Sequence, residues 1–174
     1  LWYCFFERGN SNMKQYRERI ADDILKRKLE GKGAVLIEGP KWCGKTTTAE
    51  QIAGSVIYMD DPEKREQNTV MASLSPKTLL EGKTPRLIDE WQIVPKLWDA
   101  IRFEVDHRNE LGQFILTGSA VPAKTSEITH SGTGRITWLT MRPMSLYESG
   151  DSTGDISLSE LFNTPRSEER RVGK

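Results

Sequence analysis

The stretch Gly39-Pro40-Lys41-Trp42-Cys43-Gly44-Lys45-Thr46 fills the phosphate-loop template G-x-x-x-x-G-K-[ST] at every fixed position. Ahead of it, Ala34-Val35-Leu36-Ile37 is an apolar run that reads as a buried strand, and behind it Thr46 to Ala53 reads as a helix. Strand, loop and helix in that order are the setting the motif needs. Successive backbone N–H groups of such a loop, with the positive end of the helix dipole, form a nest for the phosphates of a nucleotide. Gly39 and Gly44 let the backbone close around an anion with no Cβ in the way. Residues Gly39 to Thr46 and the adjoining Thr47 are therefore expected to contact phosphate. Lys45 would act as a point charge on the β- and γ-phosphates, and the Thr46 hydroxyl would help to coordinate Mg²⁺.

The 174 residues, 36% hydrophobic and 29% charged, suffice for one α/β domain with its core and hardly for two. Twenty-five basic residues balance twenty-five acidic ones, so charge gives no support to nucleic acid as a partner. No apolar run approaches the roughly 20 residues of a membrane span, and the aromatic start lacks the basic region of a signal peptide, so the chain reads as cytoplasmic. Cys4 and Cys43 are expected to be free thiols, one in a tail and one inside the loop.

Both ends look foreign to a fold. Residues 1–12 hold Trp2, Tyr3, Cys4, Phe5 and Phe6 with no period that would bury them, which makes them a non-native or disordered leader and Met13 the expected start. Residues 163–174 are expected to be disordered, and Arg166 to Lys174 reads as a translated sequencing adapter. Without those nine residues, four basic and two acidic, the net charge falls from zero to −2.

From Met13, the residues Tyr16, Ile20, Ile24, Leu25 and Leu29 recur at helical spacing until Gly31 and Gly33. Val56 to Met59 forms a second short strand, and Glu63 to about Glu81 reads as polar surface helix, restarted at Pro76. Leu87-Ile88 then runs into Asp89-Glu90, an apolar strand ending in two carboxylates. Asp89 suits Mg²⁺, and Glu90 suits polarising a water for in-line attack on a γ-phosphate. Pro95 opens a helix through Val105, and Gln113 to Leu116 is a further strand delivering Thr117 and Ser119 towards the loop side, where a hydroxyl can sense phosphate or orient water. Ser131 to Gly134 is a flexible approach to Arg135 and the strand Ile136 to Leu139. That arginine can meet a phosphate in its own chain or in a neighbouring subunit, or simply pair with a surface carboxylate. His130 has no partner at metal-ligand spacing.

The strings GAVLIEGPKWCGKTTTA, PRLIDEWQ, QFILTGSA, HSGTGRI and MRPMSLYESG together resemble a prokaryotic family of AAA-type ATP-binding, or ATPase, domains, over roughly residues 13–162. The resemblance implies that Gly39 to Thr46 is Walker A, that Asp89 and Glu90 are Walker B, that Thr117 or Ser119 is a sensor, and that Arg135 is an arginine finger which would require a homo-oligomer. It also implies a C-terminal domain, compared with nucleases, that this chain lacks.

The expected architecture is a three-layer α/β P-loop fold, AAA-like, with a parallel sheet and helices on both faces. The expected chemistry is hydrolysis of ATP with Mg²⁺. Two alternatives stay open: a nucleotide-dependent switch with negligible turnover, and a P-loop small-molecule kinase, against which the adjacent Asp89-Glu90 pair argues.

Overall fold

The computed structural model describes residues 16–118, 132–155 and 157–163. Five strands, β1 (Ala34–Glu38), β2 (Ser55–Tyr58), β3 (Arg86–Asp89), β4 (Phe114–Gly118) and β5 (Ile136–Thr140), form one sheet in the order β2-β3-β4-β1-β5, and every pairing is parallel. Parallel neighbours need crossovers, and from β1 to β4 the helices α2 (Lys45–Glu50), α3 (Arg65–Leu74), α4 (Pro76–Leu80) and α5 (Leu97–Arg108) lie between the strands and supply them. The helix α1 (Ile20–Gly31) precedes β1, and α6 (Leu146–Ser149) and α7 (Leu158–Asn163) follow β5.

Side chains alternate across a strand, so a run that is apolar at every position must be covered on both faces. The inner strands meet that condition. Ala34, Leu36, Ile88, Phe114, Leu116 and Ile136 enter one core with Trp91, Leu97, Trp98, Ile101, Ala72, Leu79 and Leu80. Their alternates Val35, Ile37, Leu87, Ile115 and Leu139 enter the other, against Leu25 and Leu29 of α1 and Ala49 of α2. The three-layer arrangement expected from the sequence is the one found.

Local departures have physical causes. The first helix begins at Ile20 rather than near Met13, because the Asp22 carboxylate accepts the Arg19 N–H at 2.8 Å and caps the helix there. Residues 63–81 are more than a surface segment, since Ala72, Leu79 and Leu80 are buried beneath the sheet. Pro76 does open its own short helix. β4 continues through Thr117 and Gly118, two residues beyond its apolar run, because both pair in register with β1. Residues 1–15, 119–131 and 164–174, which carry the expectations for the leader, Cys4, Ser119, His130 and the tail, lie outside the described residues. No helix among the described residues is long and apolar enough to cross a membrane.

Candidate functional site

Parallel strands bring their carboxyl ends to one edge of the sheet, and the residues following β1, β3 and β4 meet there. β4 lies between β1 and β3, in register with both. Gly118 stands opposite Glu38, and Thr117 stands opposite Asp89. The loop after Glu38, the carboxylates after Ile88 and the hydroxyl of Thr117 are therefore neighbours although far apart in sequence.

Backbone shape makes the loop. Trp42 and Gly44 have φ of 63° and 95°, left-handed values that turn the chain back before α2 starts at Lys45. A Cβ on Gly39 would lie 2.2 Å from the Met141 carbonyl oxygen, so only glycine allows the loop to seat against the turn after β5. Lys45 is 7% exposed, and its ammonium donates to the carbonyls of Gly39 at 3.0 Å and Pro40 at 2.9 Å. Its charge is thus held across the loop. Pro40, Lys41, Trp42 and Thr47 are exposed around it, whereas Cys43 is a buried free thiol.

The centre of the site is a carboxylate. Asp89 is 6% exposed, and its Oδ1 accepts from Thr46 Oγ1 at 2.7 Å and from the wholly buried Thr117 hydroxyl. Burial raises its pKa against the lowering effect of these two hydrogen bonds, and the nearby Asp60 and Glu50 raise it further. Glu90 follows at φ 54°, half-buried, and the Gln92 side-chain amide donates to its Oε2. Gln92 in turn packs against Gly118, where a Cβ would come within 2.4 Å of Gln92 Oε1.

Among the described residues no group of three or more His, Cys, Asp or Glu could hold a metal by itself. One buried carboxylate and one hydroxyl are the oxygen donors Mg²⁺ takes from a protein when substrate and water complete its shell, so Thr46 and Asp89 fit that ion.

A second layer supports the loop from behind, and reading the sequence did not find it. Arg19 donates to the carbonyls of Cys43 at 2.9 Å and Arg142 at 3.0 Å, and pairs with Glu148 at 2.9 Å. Its partners lie 24, 123 and 129 residues away, so no local pattern announces it. The Tyr16 hydroxyl bonds Asp22 and Thr48, and burial helps to push its pKa up to about 12. Burial would also raise Glu148. The Ser145 N–H and hydroxyl, the Ile20 N–H and the Arg19 guanidinium outweigh it and hold the carboxyl at about 2.

A pKa lowered on folding contributes stability above the unfolded value that is lost as pH falls through the folded one. Melting temperature should therefore drop between about pH 4.5 and about pH 2. Thermal melts of Glu148→Gln should show a lower plateau at neutral pH and a shallower acid limb than the parent. Parallel acid limbs would remove Glu148 from this role.

Arg135 is not brought to the loop. It precedes Ile136, which pairs with Ala34 at the start of β1, so four residues of strand, about 13 Å, separate it from the end carrying the loop. That distance is beyond the reach of its side chain within one chain. Its guanidinium bonds Asp106 of α5 at 2.6 Å.

A family model described as AAA domain matches residues 31–150, which contain the loop, the carboxylate pair and all five strands. Two uncharacterised proteins, one of Mycobacterium bovis and one of Mycobacterium tuberculosis, are each 30% identical to this chain over 139 residues, 79% of its length. The chain spans only 31% of the length of these relatives.

Proposed function

Because the chain belongs to the AAA domain family, a nucleotide-binding family of ATPase type, we propose that it binds ATP on the Gly39–Thr46 loop and hydrolyses it with Mg²⁺. The observation that carries this reading is the buried junction in which Thr46, at the start of α2, and Thr117, near the end of β4, both donate to Asp89 Oδ1. A fold gains little by burying a carboxylate between two hydroxyls at the rim of a sheet, and such burial is costly unless the charge finds compensation.

In this reading the loop amides and the Lys45 ammonium hold the β- and γ-phosphates, Lys45 exchanging its two carbonyl acceptors for phosphate oxygens. Thr46 and Asp89 hold Mg²⁺, which when bound neutralises charge developing on the phosphate oxygens. Thr117 fixes the Asp89 carboxylate and marks the position from which a sensor acts. Glu90 orients and deprotonates the attacking water, and the Gln92 amide fixes its direction by occupying Oε2. Ser119 remains a candidate partner of that water. Arg135 takes no part within its own chain while Asp106 engages it, and an action on a neighbouring subunit would require that pair to open.

Phosphate release from ATP by the purified chain, measured with Mg²⁺ and again with EDTA, tests the reading. Release should require the metal. Thr46→Val should weaken Mg·ATP binding about 10-fold or more, since it removes one metal ligand and one of the two donors to Asp89. ATP binding without release over many hours would instead identify a nucleotide switch, and no binding at all would end the proposal.

A further inference from the structure

Trp42 is 98% exposed, more than any other large hydrophobic side chain among the described residues, and it occupies φ 63°. A bulky residue in the left-handed region is a rare and strained choice where glycine would be free of strain. The indole gives the core nothing in return. Strain retained at an exposed residue inside a binding loop points to the ligand.

The surroundings fix the side on which that ligand lies. Behind the loop, Gly39 abuts the Met141 carbonyl, Cys43 is buried, and Arg19 holds the Cys43 carbonyl at 2.9 Å. The loop can therefore receive a ligand only on its solvent side, where Lys41 and Trp42 project. A triphosphate seated there leaves its nucleoside on the same side, and the indole is the large apolar surface the loop itself presents to it.

We infer that Trp42 closes over the bound nucleotide and stacks on its purine base, making the phosphate loop of this chain a base-binding element as well. The inference rests on the reading of Gly39–Thr46 as a nucleotide loop. An aromatic platform recognises any base by its π-face, so it adds affinity with little discrimination between adenine and guanine.

Calorimetric titration of ATP, GTP and inorganic tripolyphosphate into the parent, Trp42→Gly and Trp42→Phe tests it. Glycine removes the ring while accepting φ 63°, so the loop backbone is preserved. Trp42→Gly should weaken ATP and GTP alike, by roughly 5- to 100-fold, and leave tripolyphosphate unchanged. Trp42→Phe should keep most of the affinity, and ATP should shift the tryptophan fluorescence of the parent well beyond any shift in Trp42→Phe, which keeps Trp91 beside the site. Unchanged ATP affinity in Trp42→Gly overturns the inference and assigns the ring to another partner. Equal weakening of ATP and tripolyphosphate also overturns it, because the ring would then only shape the loop. If the parent binds neither ATP nor tripolyphosphate, the proposed function fails first, whereas parent binding that Trp42→Gly leaves intact sinks the stacking alone.

Discussion

Lys45→Ala is expected to lower ATP affinity by about 100- to 1,000-fold while the chain remains folded. The ammonium is 7% exposed and held between two loop carbonyls, at 3.0 Å from Gly39 and 2.9 Å from Pro40. In that position it need not be recruited from solvent to meet phosphate, so its interaction is preorganised. A charge-assisted hydrogen bond contributes about 1.5–3 kcal/mol; two of them, less the two carbonyl acceptors that the ammonium gives up, leave about 3–4 kcal/mol, a change in Kd of that size. The same substitution takes a donor from the buried Gly39 carbonyl and from the part-buried Pro40 carbonyl, so a modest loss of stability should accompany the loss of affinity. Calorimetry for affinity and circular dichroism for fold separate the two effects. Wild-type ATP affinity in a folded Lys45→Ala chain would remove the loop from the proposed function altogether.

The parts of this molecule that were legible in the sequence are those whose physics is local. Ala34 to Ile37 and Phe114 to Leu116 read as strands because burial on both faces makes every position apolar. The loop read correctly as a strand-to-helix turn because the conformations at Gly39 and Gly44 constrain residue type there. Asp89 stands out in the sequence because a carboxylate at the end of a buried strand is conspicuous, and the fold sets it beside Thr46 and Thr117. What the sequence hid depends on partners remote along the chain. Arg19 looks like any helix-preceding arginine until β5 and α6 fold back to offer it the Arg142 carbonyl and the Glu148 carboxylate. Tyr16 fits the helical spacing of α1 yet lies outside it, because the cap at Arg19 ends that helix and leaves the hydroxyl to reach Thr48. Arg135 shows what spacing leaves open. The sequence allowed a phosphate in the same chain, a phosphate in a neighbouring subunit or a surface carboxylate, and strand direction, which residue spacing cannot reveal, places it at the opposite end of the sheet from the loop and beside Asp106.

Glu90→Gln and Asp89→Asn are expected to fail in different ways, although the residues are adjacent and the substitutions chemically alike. Asp89 is buried, and its Oδ1 already accepts from Thr46 and Thr117. An asparagine oxygen can keep both hydrogen bonds but cannot supply the negative charge that holds Mg²⁺, so Asp89→Asn should weaken Mg·ATP and shift its dependence to higher Mg²⁺ concentration. Glu90 stands at φ 54°, which swings it out of the strand, half-buried and away from the hydroxyl pair. Gln92 occupies one of its oxygens and leaves the other for water. A glutamine at 90 can turn its carbonyl to Gln92 and keep the packing, but it then presents an amide donor to the water and cannot accept a proton. Binding of Mg·ATP should persist within about 3-fold, while turnover falls by about 100-fold or more, the usual contribution of a general base. Equilibrium binding with Mg·ATP and single-turnover phosphate release, run on both variants, resolve the two roles. Hydrolysis by Glu90→Gln at the parent rate would move the base to another residue, with Ser119 and the segment after β4 the first place to look.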